Sequence, residues 1–221
     1  MATTSADLVN LSSMDQKSFT SLVSRSSRAS QADIQGVWAT MASATPVFIP
    51  ISQAVVAQNS TPPPAVEATL AALTASAHEA ATAILCGSIL GGKSSESDEF
   101  GDYGIFIGEL DVLDGVPSDE EKAAKFLKAL GLERWLENSK LEIVRSKKAP
   151  LPGSLDNVHP TPGSLAHASI AQLSKLLSQL RDILEFRVVT SGSGGLVLHF
   201  LLGVGYGGWQ GLGGASTWSD D

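Results

Sequence analysis

Hydrophobic residues recur every three or four positions along several stretches of this chain, a spacing that predicts amphipathic helices. The most regular run begins after Ser164 and predicts a helix over about 165–186, with Leu177, Leu180 and Leu184 on its apolar stripe. The seam covers about two heptads, fewer than a coiled coil requires. We therefore interpret it as a buried bundle helix, with an intermolecular zipper as the alternative.

Weaker helical patterns precede that run. The Ala-rich segment predicts a helix over about 65–90, ended by glycines at 91 and 92. Ser118 is placed to cap a helix that runs to Gly131, because a serine side chain can accept a free amide of the first turn. Two further helices are predicted over about 14–28 and 34–41, and a short one near Trp135.

The pattern changes after Phe186. The sequences FRVVT and LVLHFLL, joined by SGSGG, predict two strands and a turn, and IFIGELDVL predicts a short strand over 105–113. The remaining tail is rich in glycine and shows no period. Glycine there permits close backbone approach, so we expect an apolar arm that packs on its own domain or on a neighbouring subunit.

Proline divides the helical part of the chain. Proline-rich loops are predicted at 45–64, which includes the polyproline run 62–64, and at 147–164. The fold class that we predict is mainly α (α+β): a helical bundle with a small C-terminal hairpin or sheet and extended proline- or glycine-rich arms. The predicted division is a helical domain at 1–186 followed by a strand and arm at 187–221.

Composition limits the possible settings of the protein. The 221 residues carry a net charge of −8 and a single cysteine, so no internal disulfide can form and a reducing compartment is favoured. The N-terminus shows no secretory pattern, and no apolar run is long enough to predict a membrane span. These features predict a cytoplasmic or virion protein that is not secreted by a signal peptide.

One motif has a specific chemistry. Gly87–Ser94 matches G-x-x-x-x-G-K-[ST], in which Lys93 would contact nucleotide phosphates and Ser94 would hold magnesium, with Asp111 as a metal-binding carboxylate. However, the match ends a helix instead of opening one, and an acidic loop follows it, so the helix dipole and the local charge both disfavour phosphate. We expect a helix end and a polar loop.

No catalytic or metal-binding pattern is evident. Cys86 lies among apolar residues without a basic neighbour, and Ser193 fails the G-x-S-x-G pattern. The four histidines show neither HExxH spacing nor pairing with cysteine. The sequence therefore predicts a non-enzymatic protein without a cofactor or a metal.

The leading functional prediction is a self-assembling structural subunit, in its most concrete form a viral coat or nucleocapsid protein. The chain itself is the expected partner, and assembly would use the leucine seam and the aromatic residues Tyr206, Trp209 and Trp218. Nucleic acid is a further possible partner through two local basic clusters, Arg25 with Arg28 and Arg145 with Lys147 and Lys148. The alternatives are an adaptor or regulatory interaction module and, less favoured, a P-loop nucleotide-binding enzyme.

Overall fold

The computed structural model describes residues 54–56, 62–92, 97–110, 118–130, 132, 136, 139–190 and 196–218. The predicted helices at 14–28 and 34–41, together with Arg25, Arg28, Lys93, Ser94, Asp111 and Trp135, lie outside these residues. The strands are β1 (Ala54–Val56), β2 (Ser97–Gly108), β3 (Ser139–Val144), β4 (Arg181–Thr190), β5 (Leu196–Gly205) and β6 (Gly208–Trp218). The helices are α1 (Pro64–Ala83), α2 (Asp119–Ala129) and α3 (Leu165–Leu177), with a 3-10 turn at Gly153–Leu155.

The organising element is a six-stranded sheet in the order β1-β2-β6-β5-β4-β3. Strand β1 pairs parallel with β2, and the other neighbours pair antiparallel. The predicted helical bundle with a small hairpin is therefore wrong: three helices in the described part of the chain pack on the two faces of one large sheet. Strand β4 crosses residue 186, where the sequence predicted a domain boundary.

The leucine seam does not continue as a helix to residue 186. Helix α3 begins as predicted, with the Ser164 hydroxyl accepting the His167 amide, but it ends at Leu177. From Arg181 the chain is a strand in which Leu184, Phe186 and Val188 are buried at every second position. Because leucines spaced by three or four and by two overlap at 180–186, the helical period extended the prediction into β4.

The two faces of the sheet carry separate apolar cores. Helices α1 and α3 pack together over one face, where Leu173, Leu177 and Leu180 belong to the same buried core as Leu201 and Leu212. On the opposite face, Phe126 of α2 packs with strand residues, which include Leu184, Phe186, Phe200 and Trp209. Leu180 and Leu184 thus serve opposite cores, which a single helical stripe does not allow.

The glycine-rich tail is part of the sheet instead of an arm. Residues 208–218 form β6, which lies between β2 and β5 near the centre of the sheet. Gly208 adopts a φ of +116° at the β5–β6 turn, and a Cβ at Gly211 would lie 2.0 Å from the backbone oxygen of Leu201. Glycine is therefore needed for a turn and for close strand packing, and the predicted arm packs within its own domain.

Two other boundaries differ from the predictions. Strand β2 begins at Ser97 and ends at Gly108, earlier than the predicted 105–113. Helix α1 ends at Ala83, where Leu85 takes the left-handed φ of 59° and the Cys86 amide reaches back to the Ala81 oxygen at 3.0 Å. A leucine therefore occupies the capping position that sequence reasoning gave to glycine, whereas the predicted cap at Ser118 is confirmed by its bond from the Glu121 amide.

Candidate functional site

A row of ionisable side chains crosses the sheet at one register position. Glu142 of β3 pairs with Arg187 of β4, Arg187 with His199 of β5, His199 with Gly214 of β6, and Gly214 with Asp102 of β2. Residues paired across strands lie on the same face of a sheet. We call Asp102, His199, Arg187 and Glu142 the polar rung. It lies on the face that carries α1 and α3.

The Asp102 end of the rung is buried and fully engaged. Its carboxylate accepts the Ser88 hydroxyl at 2.7 Å and the amides of Ile89 and Leu90 at 2.6 and 3.2 Å. Gly214 leaves room for this contact, because a Cβ there would lie 3.1 Å from both the Asp102 carboxylate and the Ser88 hydroxyl. Asp102 thus fastens the loop after α1 to the sheet.

The contact between Asp102 and the loop after α1 argues against phosphate binding by the P-loop match at Gly87–Ser94. Backbone amides after its first glycine would have to cradle phosphate oxygens. In the structure the amides of Ile89 and Leu90 are bound to Asp102, and the Gly91 amide donates to the Ser88 hydroxyl at 2.9 Å. An internal carboxylate therefore occupies the position that a phosphate would need.

His199, in the middle of the rung, is held as a neutral ring. Its Nε2 lies 2.9 Å from the hydroxyl of buried Ser216. Burial lowers the pKa of His199 to about 4, and the positive charge of Arg187 adds to the decrease. The histidine is therefore a polar but uncharged group at pH 7.

The Glu142 end of the rung is open and charged. Arg187 donates from Nε to Oε2 of Glu142 at 2.6 Å, and the Lys140 ammonium lies 2.8 Å from Oε1. These two hydrogen bonds lower the pKa of Glu142, which stays ionised. Among the described residues, nothing bonds the two terminal Nη groups of Arg187, whose side chain is 44% exposed. A guanidinium with a free fork of donors suits a carboxylate or a phosphate.

A cleft of about 380 Å³ opens at this end of the rung. Arg187 and His199 lie at its base, and residues 142–144 of β3 form one side. Two loops form the remaining walls: residues 90–91 after α1, and residues 153–154 within the long proline-rich loop. A cleft of this size accommodates a small ligand or a few residues of a peptide.

The two loops are tied to each other and to the sheet. The Ser154 hydroxyl donates to the backbone oxygen of Ile89, and the Gly153 amide donates to Oε2 of Glu185 at 2.8 Å. Burial raises the pKa of Glu185 to about 7; the Gly153 amide opposes this increase, and the negative charge of Asp156 adds to it. One wall of the cleft therefore rests on a buried carboxyl group that titrates near neutral pH.

The proline-rich loop also has internal support. Asp156 accepts the Lys147 amide at 2.8 Å, and the Lys148 ammonium donates to the oxygens of Leu155 and Val158 at 3.0 and 2.7 Å. The predicted loop at 147–164 is thus held by its own hydrogen bonds, and its residues 153–154 form a wall of the cleft.

Most of the residues predicted for assembly are buried. Leu177, Leu180, Leu184 and Trp209 are buried in the two cores, and the Trp209 ring lies 4.6 Å from that of Phe126. Tyr206 is 75% exposed at the β5–β6 turn. The backbone of Trp218 ends β6, opposite Ser97.

The predicted basic cluster is divided by its contacts. Arg145 lies 2.6 Å from a carboxylate oxygen of Asp119, and Lys148 is bonded to the backbone oxygens described above. Lys147 is exposed. None of the three lines the cleft.

Sequence reasoning missed Glu142, Arg187 and His199. A signal was present, because Glu185 and Arg187 alternate with Phe186 and Val188, and His199 is the one polar residue in LVLHFLL. Alternation with period two places such polar groups on one face of a strand. Arg187 and His199 lay in segments predicted as strands, but the sequence did not give the register that places them in one row with Glu142.

Within the described ranges, no three histidine, cysteine, aspartate or glutamate side chains are grouped to hold a metal ion. No helix in those ranges has the length and apolar character to cross a bilayer. No protein family, curated protein or solved structure matches this chain.

Proposed function

We propose that this chain is a non-enzymatic binding domain whose cleft holds a ligand that carries a carboxylate. The observation that supports the proposal is the open fork of Arg187 at the base of the cleft. Glu142 fixes the guanidinium through its Nε and leaves both Nη groups toward a second acceptor. A guanidinium that is positioned before the ligand arrives binds at a lower entropic cost.

The other groups of the rung support binding in preference to bond-making chemistry. Asp102 is saturated by three donors, and the partner of His199 is a serine that is almost fully buried. A nucleophile must reach its substrate, and Ser216 is only 4% exposed. A neutral histidine beside an arginine is well suited to orient a ligand by one hydrogen bond.

Self-assembly, including a coat or nucleocapsid role, stays a prediction. Four of the six residues predicted for it are buried inside the chain. The adaptor alternative agrees better with a cleft at the edge of a sheet.

Titration calorimetry with glutarate, a dicarboxylate small enough for the cleft, tests the proposal. Glutarate should bind to the native chain, and the neutral diamide glutaramide should not. Arg187→Gln should weaken binding by about tenfold or more, because a charge-assisted pair is lost. Arg181→Gln, on the same strand and exposed, is the matched control and should bind as the native chain does.

Arg187→Lys provides a second variant that keeps the charge beside Glu142 and so protects the fold. It should also bind glutarate less well, because a lysine has no planar fork. Equal binding by the native chain and both Arg187 variants, or no binding of glutarate to the native chain, would contradict the proposal.

A further inference from the structure

The cleft reaches the outer edge of β3. Residues 142, 143 and 144 all line it, although consecutive side chains of a strand point to opposite faces. Ile143 packs against the core under α2, on the far face of the sheet. Ile143 must therefore line the cleft with its backbone atoms, which lie at the edge of the strand.

Strand β3 is the last strand of the sheet among the described residues, with β4 as its neighbour. An edge strand presents unpaired N–H and C=O groups that can pair with another extended chain. The cleft thus combines a backbone edge with the guanidinium of Arg187.

The charges at this edge favour an acidic occupant. Lys140 is 76% exposed on β3, and Arg187 is 44% exposed one strand further in. Arg187 and Glu142 are the two charged residues that line the cleft, and Lys140 beside them leaves these three groups with an excess of one positive charge, on a chain whose net charge is −8. Complementary charge selects partners and speeds their association.

We propose that an extended acidic peptide segment binds here as an additional strand along β3, with one of its carboxylates on the Nη groups of Arg187. This inference rests on the proposed carboxylate site and names its partner. Backbone hydrogen bonds would supply affinity, and the cleft would contact every second side chain of the peptide and so supply specificity.

Nucleic acid is less suited to this edge. A phosphate backbone lacks the alternating donors and acceptors that pair with a strand. Of the neighbouring cations that phosphates would need, Arg145 binds Asp119 and Lys148 binds backbone oxygens, which leaves the exposed Lys147.

The test uses the full chain and a fluorescent peptide of alternating glutamate and valine, about six residues long like an ordinary strand. Two derivatives carry N-methyl groups on alternate residues, one on the odd and one on the even positions. N-methylation removes the donors of one edge of the peptide and leaves its charges unchanged. We expect one derivative to bind at least tenfold more weakly than the parent peptide, and the other to bind like it.

Controls separate charge from strand pairing. Replacing each glutamate of the peptide by glutamine, or using Arg187→Gln protein, should also weaken binding, whereas Arg181→Gln should not. Equal binding of both N-methylated derivatives would overturn strand addition. If glutarate still binds in an Arg187-dependent manner, the carboxylate site survives that result; if neither glutarate nor peptide binds, both proposals fall. Displacement of the peptide by a single-stranded oligothymidine of similar length and affinity would overturn the peptide assignment in favour of nucleic acid.

Discussion

The carboxylate of Asp102 accepts the backbone amide of Ile89 at 2.6 Å, although the two residues belong to different elements of the chain. Ile89 lies in the loop that matches a phosphate-binding motif, and Asp102 lies on β2 at the buried end of the polar rung. The loop is therefore closed on an internal anion, and its position over the sheet defines one wall of the cleft.

Replacing Asp102 should destabilise the fold. In Asp102→Ala the amides of Ile89 and Leu90 and the Ser88 hydroxyl lose their acceptor, which we expect to lower the free energy of unfolding by about 2–4 kcal/mol. Asp102→Asn keeps one acceptor and should cost less. Urea denaturation measures both, with Glu79→Gln on the exposed side of α1 as the control. A loss of less than half a kcal/mol in Asp102→Ala would show that the contact is not structural.

Leu85→Gly should stabilise the protein. Leu85 is 86% exposed and adopts a φ of 59°, which costs a non-glycine residue about 1–2 kcal/mol. Glycine removes that strain but loses some entropy on folding, so a net gain of about 0.5–1 kcal/mol is expected. Leu85→Ala keeps the strain and serves as the comparison. Thermal unfolding that ranks alanine above glycine would contradict the prediction.

Glu185 should make stability depend on pH. Its pKa in the folded chain is about 7 against an ordinary 4.5, so the folded state retains a proton that the unfolded state has released. Stability from this group is highest below pH 4.5 and falls as the pH rises to 7, by about 3 kcal/mol in total. Glu185→Gln should remove this contribution while it keeps an acceptor for the Gly153 amide, so the variant's stability should rise with pH between 4.5 and 6.5, where the native chain changes little. Denaturation curves between pH 4 and 8 provide the measurement.

His199 should act in the opposite direction. Its pKa of about 4 in the folded chain lies below the ordinary 6.5, so the unfolded state binds the extra proton. Stability from His199 is complete above pH 6.5 and is lost as the pH falls to 4, again by about 3 kcal/mol. Between pH 4.5 and 6.5 the two groups should nearly cancel in the native chain. In His199→Gln the stability should therefore fall as the pH rises from 4.5 to 6.5, because only the Glu185 contribution remains. A stability that does not change with pH in that variant would contradict the compensation between Glu185 and His199.

Trp209→Ala should lower the stability of the folded chain and not act through its self-association. The ring is buried against Phe126, and removal of a buried aromatic side chain costs about 3–5 kcal/mol. Tyr206→Ser, at an exposed position of the adjacent turn, should leave stability within about half a kcal/mol. Urea denaturation with light scattering separates the two effects. A Trp209→Ala chain of native stability but altered oligomeric state would support the assembly role predicted from the sequence.

Local signals in the sequence predicted local structure well. The caps at Ser118 and Ser164 were identified correctly, since a serine hydroxyl that accepts an amide three residues later depends on adjacent residues alone. The start of α1 near residue 65 and the start of α3 followed from their periodicity in the same way. These features need no knowledge of the rest of the chain.

The sequence did not determine which strand or helix each apolar segment would pack against. Leu180–Phe186 satisfies a helical and a strand period, and pairing with β3 and β5 selected the strand. The glycines of 208–214 indicated an arm, but they lie on β6, which pairs with β2 on one side and with β5 on the other. The polar rung draws its four side chains from four strands between residues 102 and 199, so only the register of the sheet brings them into one row. Sequence thus determined the N-terminal caps of α2 and α3 and the apolar positions, and long-range backbone pairing determined the sheet and the cleft.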